Sequence, residues 1–223
     1  MPQKVWPAPP GVNAALPAGA RDFSTPWKTF FHGVEKLARG SRRAVGCLAE
    51  PKNQEACMKA VVVYESLWGN TAAVARAIAE GLGPDVRALS TAEAPPALLE
   101  GVDLIVAGSP LFAFRLPTDA IRETIRRKSA SFPRPPDLSH PALRTWLEAL
   151  PAGRGRGAAF ETRMWFSPGG ATGAILASLK HAGYLPLARG QRFRVTGMYG
   201  PLKAGELERA RIWGAKLARG MQS

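Results

Sequence analysis

Residues 58–82 combine an apolar run, a short polar loop and an amphipathic helix, and no other stretch constrains the fold as strongly. The apolar run covers Ala60 to Tyr64, and the loop after it ends in Gly69-Asn70-Thr71. A helix that begins directly after a buried strand leaves unpaired backbone N–H groups and the positive end of its dipole at the strand's carboxyl end. This pattern predicts a strand, a tight turn and a helix N-terminus that binds an anion, most often a phosphate.

Strand and helix patterns alternate from residue 58 onward. The predicted strands are 59–65, 85–89, 102–108, 156–162 and 184–196. The predicted helices are 70–82, 95–100 (a short piece), 118–129, 142–150, 170–182 and 205–219. The last strand is expected to be interrupted near Gly190. This alternation predicts an α/β fold, a three-layer sandwich with a five-stranded parallel sheet. Right-handed crossovers leave few topologies, and we choose the strand order 2-1-3-4-5, which puts a ligand crevice at the carboxyl ends of strands one, three and four.

Composition narrows the class of protein. The chain has 223 residues and is 46% apolar, which suffices for one well-buried domain with an appendage. No run approaches the roughly 18 apolar residues that a membrane span needs, and we see no signal peptide, so we expect a cytoplasmic protein. The net charge is +13, but the arginines are scattered and no helix interleaves a basic face with aromatic residues. We therefore expect no nucleic-acid binding.

Residues 1–57 differ in composition from the rest and form a predicted N-terminal extension. The first twenty residues are rich in Pro, Ala and Gly, which is typical of disorder. Apolar residues then recur at helical spacing and predict one short amphipathic helix at 26–39, namely Trp27, Phe30, Phe31, Val34 and Leu37. Such a helix docks on the domain, a partner or a membrane surface. Alternatively, because Met58 directly precedes the first strand, residues 1–57 are a mis-assigned upstream extension; both interpretations stay open.

The first loop has the donors that a phosphate dianion needs. Ser66 and Thr71 carry hydroxyls, Gly69 lets the backbone approach, and Asn70 caps the helix or holds the loop. The run from Ser66 to Thr71 resembles the family pattern Ser/Thr-x-Thr-Gly-Asn-Thr, with which flavodoxin-like proteins bind the phosphate of FMN. Trp68 stands where that family has Thr, which implies weakened binding. The alternative is an ordinary strand-to-helix turn, in which Asn70 is only a cap.

The resemblance covers residues 59–221 and implies that two further loops enclose the isoalloxazine ring. In the second loop, Phe112 and Phe114 are candidates for its apolar wall, and Arg115 for its polar edge or for a nicotinamide nucleotide phosphate. The third loop is implied to contact the ring from the opposite side, with Trp165 and Phe166 in position. The closing segment, residues 200–208, is similar to uncharacterised bacterial members of the family.

Polar and glycine residues of the third loop have two interpretations each. Glu161, Thr162 and Arg163 are the polar cluster most suspected of a specific role, and the alternative is a surface ion pair. Gly169 and Gly170 donate amides to the ring or bend the chain. The full predicted FMN-binding set is Ser66, Leu67, Trp68, Gly69, Asn70, Thr71, Ser109, Pro110, Leu111, Phe112, Ala113, Phe114, Thr162, Arg163, Trp165 and Gly169.

The resemblance implies that residues 58–223 form a flavodoxin-like domain that binds FMN non-covalently and acts in electron transfer. It leaves open a carrier or an FMN-dependent reductase of a quinone-like or flavin acceptor, with a redox protein or a small planar acceptor as partner. The alternative is a binding or regulatory module that keeps the fold and has lost FMN, which Trp68 favours. Electron-shuttling flavodoxins are typically acidic, and this chain, at +13, departs from that.

The sequence offers no separate catalytic constellation. Its three histidines, His32, His140 and His181, are far apart, and Cys47 and Cys57 form no CxxC motif or metal-like cluster. We expect no disulfide between these cysteines in a cytosolic protein. Because a flavin carries its own redox chemistry, we predict no catalytic side chains.

Overall fold

A parallel β-sheet runs through residues 58–223, the part of the chain that the computed structural model describes. The strands are β1 (Ala60–Tyr64), β2 (Arg87–Ser90), β3 (Leu104–Pro110), β4 (Arg156–Met164), β5 (Leu185–Pro186) and β6 (Gln191–Val195). They adjoin in the order β2-β1-β3-β4-β5, and β6 also pairs with β4. Every one of these pairings is parallel. The helix predicted at 26–39 lies outside the described residues.

The predicted topology is confirmed, including the break in the last strand. β5 and β6 both pair with β4, β5 opposite Arg156 and Gly157 and β6 opposite residues 160–164. They therefore occupy one position in the sheet, and the chain leaves the ladder between them, around Gly190. A methyl group on Gly190 would come within 2.3 Å of the Thr172 side chain, so this segment passes close to the start of the helix after β4.

Residues 58–223 contain five α-helices. They are α1 (Asn70–Leu82), α2 (Asp119–Arg127), α3 (Leu143–Glu148), α4 (Thr172–His181) and α5 (Glu206–Gln222). The short piece predicted at 95–100 is a single 3-10 turn, Pro96–Leu99, and a second such turn covers Ser129–Ser131. Within residues 58–223, each predicted helix is present within a few residues of its expected ends, because Gly, Pro and polar caps mark those ends in the sequence.

Two apolar cores lie on the two faces of the sheet. α1 and α5 cover one face, where Val62, Ile78 and Trp213 belong to the same buried cluster. α3 and α4 cover the other, with Ile105, Trp146 and Leu179 in the second cluster. Burial on both faces explains the almost uninterrupted apolar runs of β1 and β3.

The sheet brings three loops to one edge. β1, β3 and β4 are adjacent and parallel, so the loops after them leave from the same side. At the carboxyl end of β3, Gly108 lies opposite Phe160 of β4, and a methyl group there would lie 2.0 Å from the Phe160 ring. This glycine lets a buried aromatic ring fill the space just below the loops.

Candidate functional site

The loops after β1, β3 and β4 line a single open groove of about 160 Å³. We call them loop one (residues 65–69), loop two (111–118) and loop three (165–171). Twelve of the predicted residues line the groove: Ser66, Leu67, Trp68, Asn70, Thr71, Pro110, Leu111, Phe112, Ala113, Phe114, Thr162 and Arg163. The groove also includes four residues outside the predicted FMN-binding set, namely Met164, Ser167, Val195 and Met198.

The start of α1 offers backbone donors at the base of loop one. Within residues 58–223, the amides of Asn70, Thr71 and Ala72 donate no hydrogen bond. Gly69 precedes them at φ 88°, and no atom lies within 4 Å of where its Cβ would be. The Gly69 amide itself donates to Ser66 Oγ at 3.1 Å. Three successive N–H groups without an acceptor in this part of the chain, at the first turn of a helix, are the kind of donors that bind anions.

Asn70 does not cap the helix. Its side chain makes no capping hydrogen bond to the start of α1. It lies instead against Gly200, where a Cβ would come within 2.5 Å of the Asn70 amide oxygen. Gly200 lies in the loop between β6 and α5. The Asn70 side chain therefore packs between the end of loop one and that loop. Of the two sequence interpretations of Asn70, capping and holding the loop, the contacts match the second.

A buried pair of hydroxyls connects α1 to β4. Thr71 Oγ1 and Thr162 Oγ1 lie 2.8 Å apart, and both residues are almost fully buried. Each hydroxyl can be donor or acceptor, so one O–H remains available to turn toward the groove that both residues line. The two threonines therefore present one hydroxyl beside the free amides of α1.

Trp68 is fixed at the outer wall of the groove. Its Nε1–H donates to the Arg134 carbonyl oxygen at 3.1 Å. Its ring contacts Phe132 and Tyr199 edge-on, with centroids 5.8 and 5.1 Å away, and Phe112 at 6.3 Å. The indole also borders a larger open cavity of about 690 Å³ on the other side of loop one. Trp68 thus lies between the groove and this larger cavity.

Loop two turns sharply at Ala113 and Phe114. The backbones of Phe112 and Arg115 exchange two hydrogen bonds of 3.1 Å, which makes a tight two-residue turn. Ala113 and Phe114 have φ 46° and 66°, a left-handed conformation that L residues adopt at a cost of about 1 kcal/mol or more each. Arg115 is exposed and does not line the groove.

Loop three is tied to loop two by backbone contacts. The Gly170 amide donates to the Phe114 carbonyl oxygen at 3.2 Å, so this donor is already used. Gly169 has φ 74°, and a Cβ on it would lie 2.1 Å from the Phe114 oxygen. Gly169 therefore permits the close approach of the two loops and does not itself line the groove.

Glu161 is a buried anchor rather than half of a surface ion pair. Its side chain is fully buried, and Oε2 accepts hydrogen bonds from the Ala171 and Thr172 amides at 2.6 and 3.1 Å. Its Oε1 accepts from Arg163 Nη1 at 2.9 Å. The carboxylate thus caps the start of α4 and holds Arg163 beside the groove.

Two predicted residues lie apart from the groove lining. The Ser109 side chain is buried, and its hydroxyl donates to the Pro110 carbonyl oxygen at 3.1 Å. Trp165 is 77% exposed and contacts Phe166 edge-on, with centroids 5.8 Å apart. Gly69 and Gly169 also lie outside the groove lining; both have positive φ, and Gly69 borders the larger cavity beside Trp68.

The Pro-rich segment 132–141 packs over loop one, which the sequence did not indicate. The Asp137 amide donates to the Leu67 carbonyl oxygen at 2.8 Å, and His140 Nε2 lies 3.3 Å from the backbone carbonyl oxygen of Ser66. Hydrogen bonds from Ser139 hold the pKa of Asp137 below its usual value. These contacts join segments that are distant in sequence, so no local pattern could have revealed them.

Residues 58–223 contain no group of three or more metal-ligating side chains that could hold a metal ion. No helix in the same part of the chain is long and apolar enough to cross a membrane. The groove therefore offers backbone amides, hydroxyls, aromatic rings and one arginine as its chemistry. This set suits a ligand that has a phosphate and a planar apolar body.

Comparison with solved structures decides the fold. A flavodoxin from the domain Archaea superposes with a TM-score of 0.52 at 24% identity, covering 74% of this chain and 100% of that one. The chain has the flavodoxin-like fold. Flavodoxin 1 from Bacillus cereus matches with a TM-score of 0.50 at 18% identity, over 72% of this chain and 97% of the other.

The same fold also occurs inside larger proteins. The flavodiiron core of Flv1 from Synechocystis sp. PCC6803 matches with a TM-score of 0.50 at 19% identity, over 75% of this chain but only 37% of that one. No protein-family model and no curated protein sequence matches the chain. At these sequence identities the comparisons establish the flavodoxin-like architecture. The ligand has to be inferred from the chemistry of the groove itself.

Proposed function

We propose that residues 58–223 bind FMN non-covalently and that the protein acts in electron transfer, as a carrier or as a reductase of a planar acceptor. The observation that carries the proposal is the set of three amides at the start of α1, those of Asn70, Thr71 and Ala72, which donate no hydrogen bond to any residue from 58 to 223. Asn70 and Thr71 line the groove that the three loops share, and Gly69 and Ala72 border the larger cavity of about 690 Å³ next to it. A phosphate dianion is the ligand that such donors favour.

The groove's residues have distinct roles in this proposal. The α1 amides and one hydroxyl of the Thr71–Thr162 pair hold the phosphate by hydrogen bonds to charged oxygens. The apolar surfaces of Phe112 and Met164 exclude water from a flat ring. Arg163, held by Glu161, keeps a positive charge at the groove. FMN, when bound, supplies reversible one- and two-electron redox chemistry.

Two features favour the alternative of a binding module without FMN. The groove, at about 160 Å³, is smaller than the roughly 300–1,000 Å³ of pockets that enclose a ligand. Trp68 also removes the hydroxyl that the phosphate pattern has at its position. An open groove nevertheless suits a ligand that is only partly enclosed. We favour FMN binding because the backbone donors do not depend on the identity of residue 68.

The decisive test is a titration of the purified chain with FMN and with riboflavin, followed by flavin fluorescence and the visible spectrum. We expect saturable FMN binding and at least about tenfold weaker riboflavin binding, because riboflavin lacks the phosphate. Equal affinities for the two flavins would contradict the proposed phosphate site. No binding of either would favour the module that has lost FMN.

Two glycines at opposite ends of α1 provide a matched pair of variants. Gly69 and Gly83 both have positive φ, 88° and 150°, and neither has an atom within 4 Å of its Cβ position. Ala at either site strains the backbone by about 1 kcal/mol. We expect Gly69→Ala to weaken FMN binding about tenfold or more, because its methyl group enters the phosphate space, and Gly83→Ala to leave FMN affinity unchanged. Similar FMN affinities of the two variants would count against the site.

A further inference from the structure

Four arginines and a tryptophan surround a small hollow beside the groove. Arg163, Arg192, Arg194, Arg209 and Trp165 line this hollow of about 180 Å³, which we call the arginine hollow. It lies at the carboxyl ends of β4 and β6, where Arg163 is paired across the ladder with Arg194. Because Arg163 also lines the groove, the two surfaces are continuous.

The positive charge of the hollow is only partly compensated. Glu161 pairs with Arg163 at 2.9 Å and with Arg192 at 3.6 Å, and Glu206 pairs with Arg209 at 2.7 Å. Four guanidinium groups therefore face two carboxylates, an excess of two positive charges. Both carboxylates are buried, whereas Arg192 is 62% exposed. The Arg194 side chain makes no hydrogen bond or ion pair with any residue from 58 to 223 and is exposed.

Exposed apolar side chains extend from the hollow along the groove. Trp165 is 77% exposed, Phe166 60%, Phe114 59% and Met198 46%, and we call these four residues the aromatic rim. Phe114 and Met198 line the groove, and Trp165 lines the hollow. Trp, Phe, Met and Arg are the residue types enriched at the cores of protein interfaces. Large aromatic side chains left in water around an arginine cluster indicate an interaction surface.

We propose that the arginine hollow and the aromatic rim form the docking surface for an acidic electron-transfer protein. Charge complementarity selects the partner, because the whole chain carries +13 and the hollow adds an uncompensated local excess. Guanidinium groups bind carboxylates in a bidentate manner, and the rim supplies the apolar contacts. The electron-transfer role of the partner rests on the proposed function, whereas the binding itself does not.

Two simpler explanations of this surface account for fewer of its features. A small anion would contact the arginines and leave Phe166, Phe114 and Met198 in water. Protection of the outer edge of β6, which has only an isolated bridge from Val195 to Leu202, accounts for charged residues at 192 and 194 but not for the aromatic rim beside them. A protein partner accounts for both the charge and the apolar side chains.

The test is isothermal titration of the full chain with a plant-type [2Fe–2S] ferredoxin, a small acidic electron-transfer protein. Cytochrome c, which is small and basic, is the control probe. The key variant is Arg194→Glu, and its matched control is Arg87→Glu on β2, at the opposite edge of the sheet. Both substitutions lower the net charge by the same amount at exposed positions, so only the location of the lost charge differs. Trp165→Ala tests the rim.

We expect ferredoxin binding that weakens with salt, falls about tenfold in Arg194→Glu and changes less than about twofold in Arg87→Glu. Trp165→Ala should weaken ferredoxin binding at least about fivefold. The proposal is overturned if ferredoxin does not bind, if the two charge reversals have equal effects, or if cytochrome c binds equally well. Binding of inorganic phosphate that depends on Arg194, without ferredoxin binding, would overturn it in favour of a small-anion site.

An FMN titration of the same samples separates this proposal from the proposed function. Arg194 does not line the groove, so Arg194→Glu should leave FMN affinity unchanged. Ferredoxin binding without FMN binding would sustain the docking surface and defeat the flavin proposal. If FMN binds but ferredoxin binding does not depend on Arg194, the flavin proposal is sustained and the docking surface is defeated.

Discussion

At the scale of single residues, a buried ion pair fixes the start of loop one. The Glu65 carboxylate is fully buried and pairs with Arg122 of α2, whose side chain is 7% exposed. Glu65 Oε2 also accepts from the Leu143 amide at 2.9 Å, and Arg122 Nη2 donates to the His140 carbonyl oxygen at 2.5 Å. The pair therefore joins β1, α2 and the segment before α3 beneath the groove.

Removing one member of this pair should be costly. Arg122→Met leaves the Glu65 charge buried without a partner, so we expect the free energy of unfolding to fall by about 3–5 kcal/mol. Arg126→Met, in the same helix, is the control, because the Arg126–Glu123 pair is more than half exposed and should contribute less than about 1 kcal/mol. Urea unfolding measures both. Comparable losses in the free energy of unfolding would show that the buried pair contributes no more to stability than the exposed pair.

Trp68 is the residue whose substitution bears most directly on FMN affinity. Trp68→Thr restores the hydroxyl of the family pattern, and a hydrogen bond to a charged group contributes about 1.5–3 kcal/mol before the lost ring contacts are subtracted. We expect FMN to bind about three- to tenfold more tightly to Trp68→Thr. Trp68→Ala removes the indole without adding a donor and should bring no gain. If Ala tightened FMN binding as much as Thr, obstruction by the ring would be the cause.

At the scale of elements, α1 and α5 approach each other through two glycines. A Cβ on Gly81 would lie 2.0 Å from the Arg211 carbonyl oxygen, and one on Gly214 would lie 2.2 Å from the Ile78 carbonyl oxygen. Backbone atoms cannot move aside as a flexible side chain can. These glycines set the distance between the helices, and thereby the position of the α1 N-terminus at the groove.

Substitution by Ala should destabilise the protein at a helical glycine whose Cβ position is occupied by other atoms, and stabilise it at one whose Cβ position is open. Gly214→Ala should lower the free energy of unfolding by about 1–3 kcal/mol through overpacking, despite the better helix propensity of Ala. Gly173, exposed in α4 with no atom within 4 Å of its Cβ position, is the control. Gly173→Ala should raise stability by about 0.5–1 kcal/mol. Thermal and urea unfolding decide, and a stabilised Gly214→Ala would refute the contact.

At the scale of the whole molecule, the charge of +13 acts on any anionic ligand before contact. A positive field raises the rate of encounter with an anion, and salt screens that field over about 10 Å at 0.1 M. A net negative charge would slow the approach of the same anion.

Salt should accordingly slow FMN association more than riboflavin association. Stopped-flow fluorescence quenching at about 0.02 and 0.5 M NaCl should show the FMN association rate falling several-fold, because its phosphate is attracted by the net positive charge. The riboflavin rate should change little, since that molecule is neutral. Equal salt effects on both flavins would mean that the field of the protein does not guide the phosphate.

Local patterns predicted the strands and the helices, and the resemblance to flavodoxin-like proteins indicated which loops to compare. The apolar run of β1, the Gly69-Asn70-Thr71 sequence at the start of α1 and the interruption near Gly190 were each readable from neighbouring residues. The same reasoning left the roles of Asn70 and Glu161 open between two interpretations each. The contacts that resolve them, with Gly200 and with the α4 amides, depend on how distant segments meet.

The sequence by itself determined the alternation of strands and helices, and hence the edge of the sheet at which loops one to three meet. Periodicity and cap residues are properties of adjacent positions, so they are legible without a structure. Only the tertiary structure decided that Trp68 meets Tyr199, that Asp137 binds Leu67 and that four arginines converge beside the groove. Those contacts follow from the packing of separate elements, because side chains far apart in the chain become neighbours only once the sheet has formed.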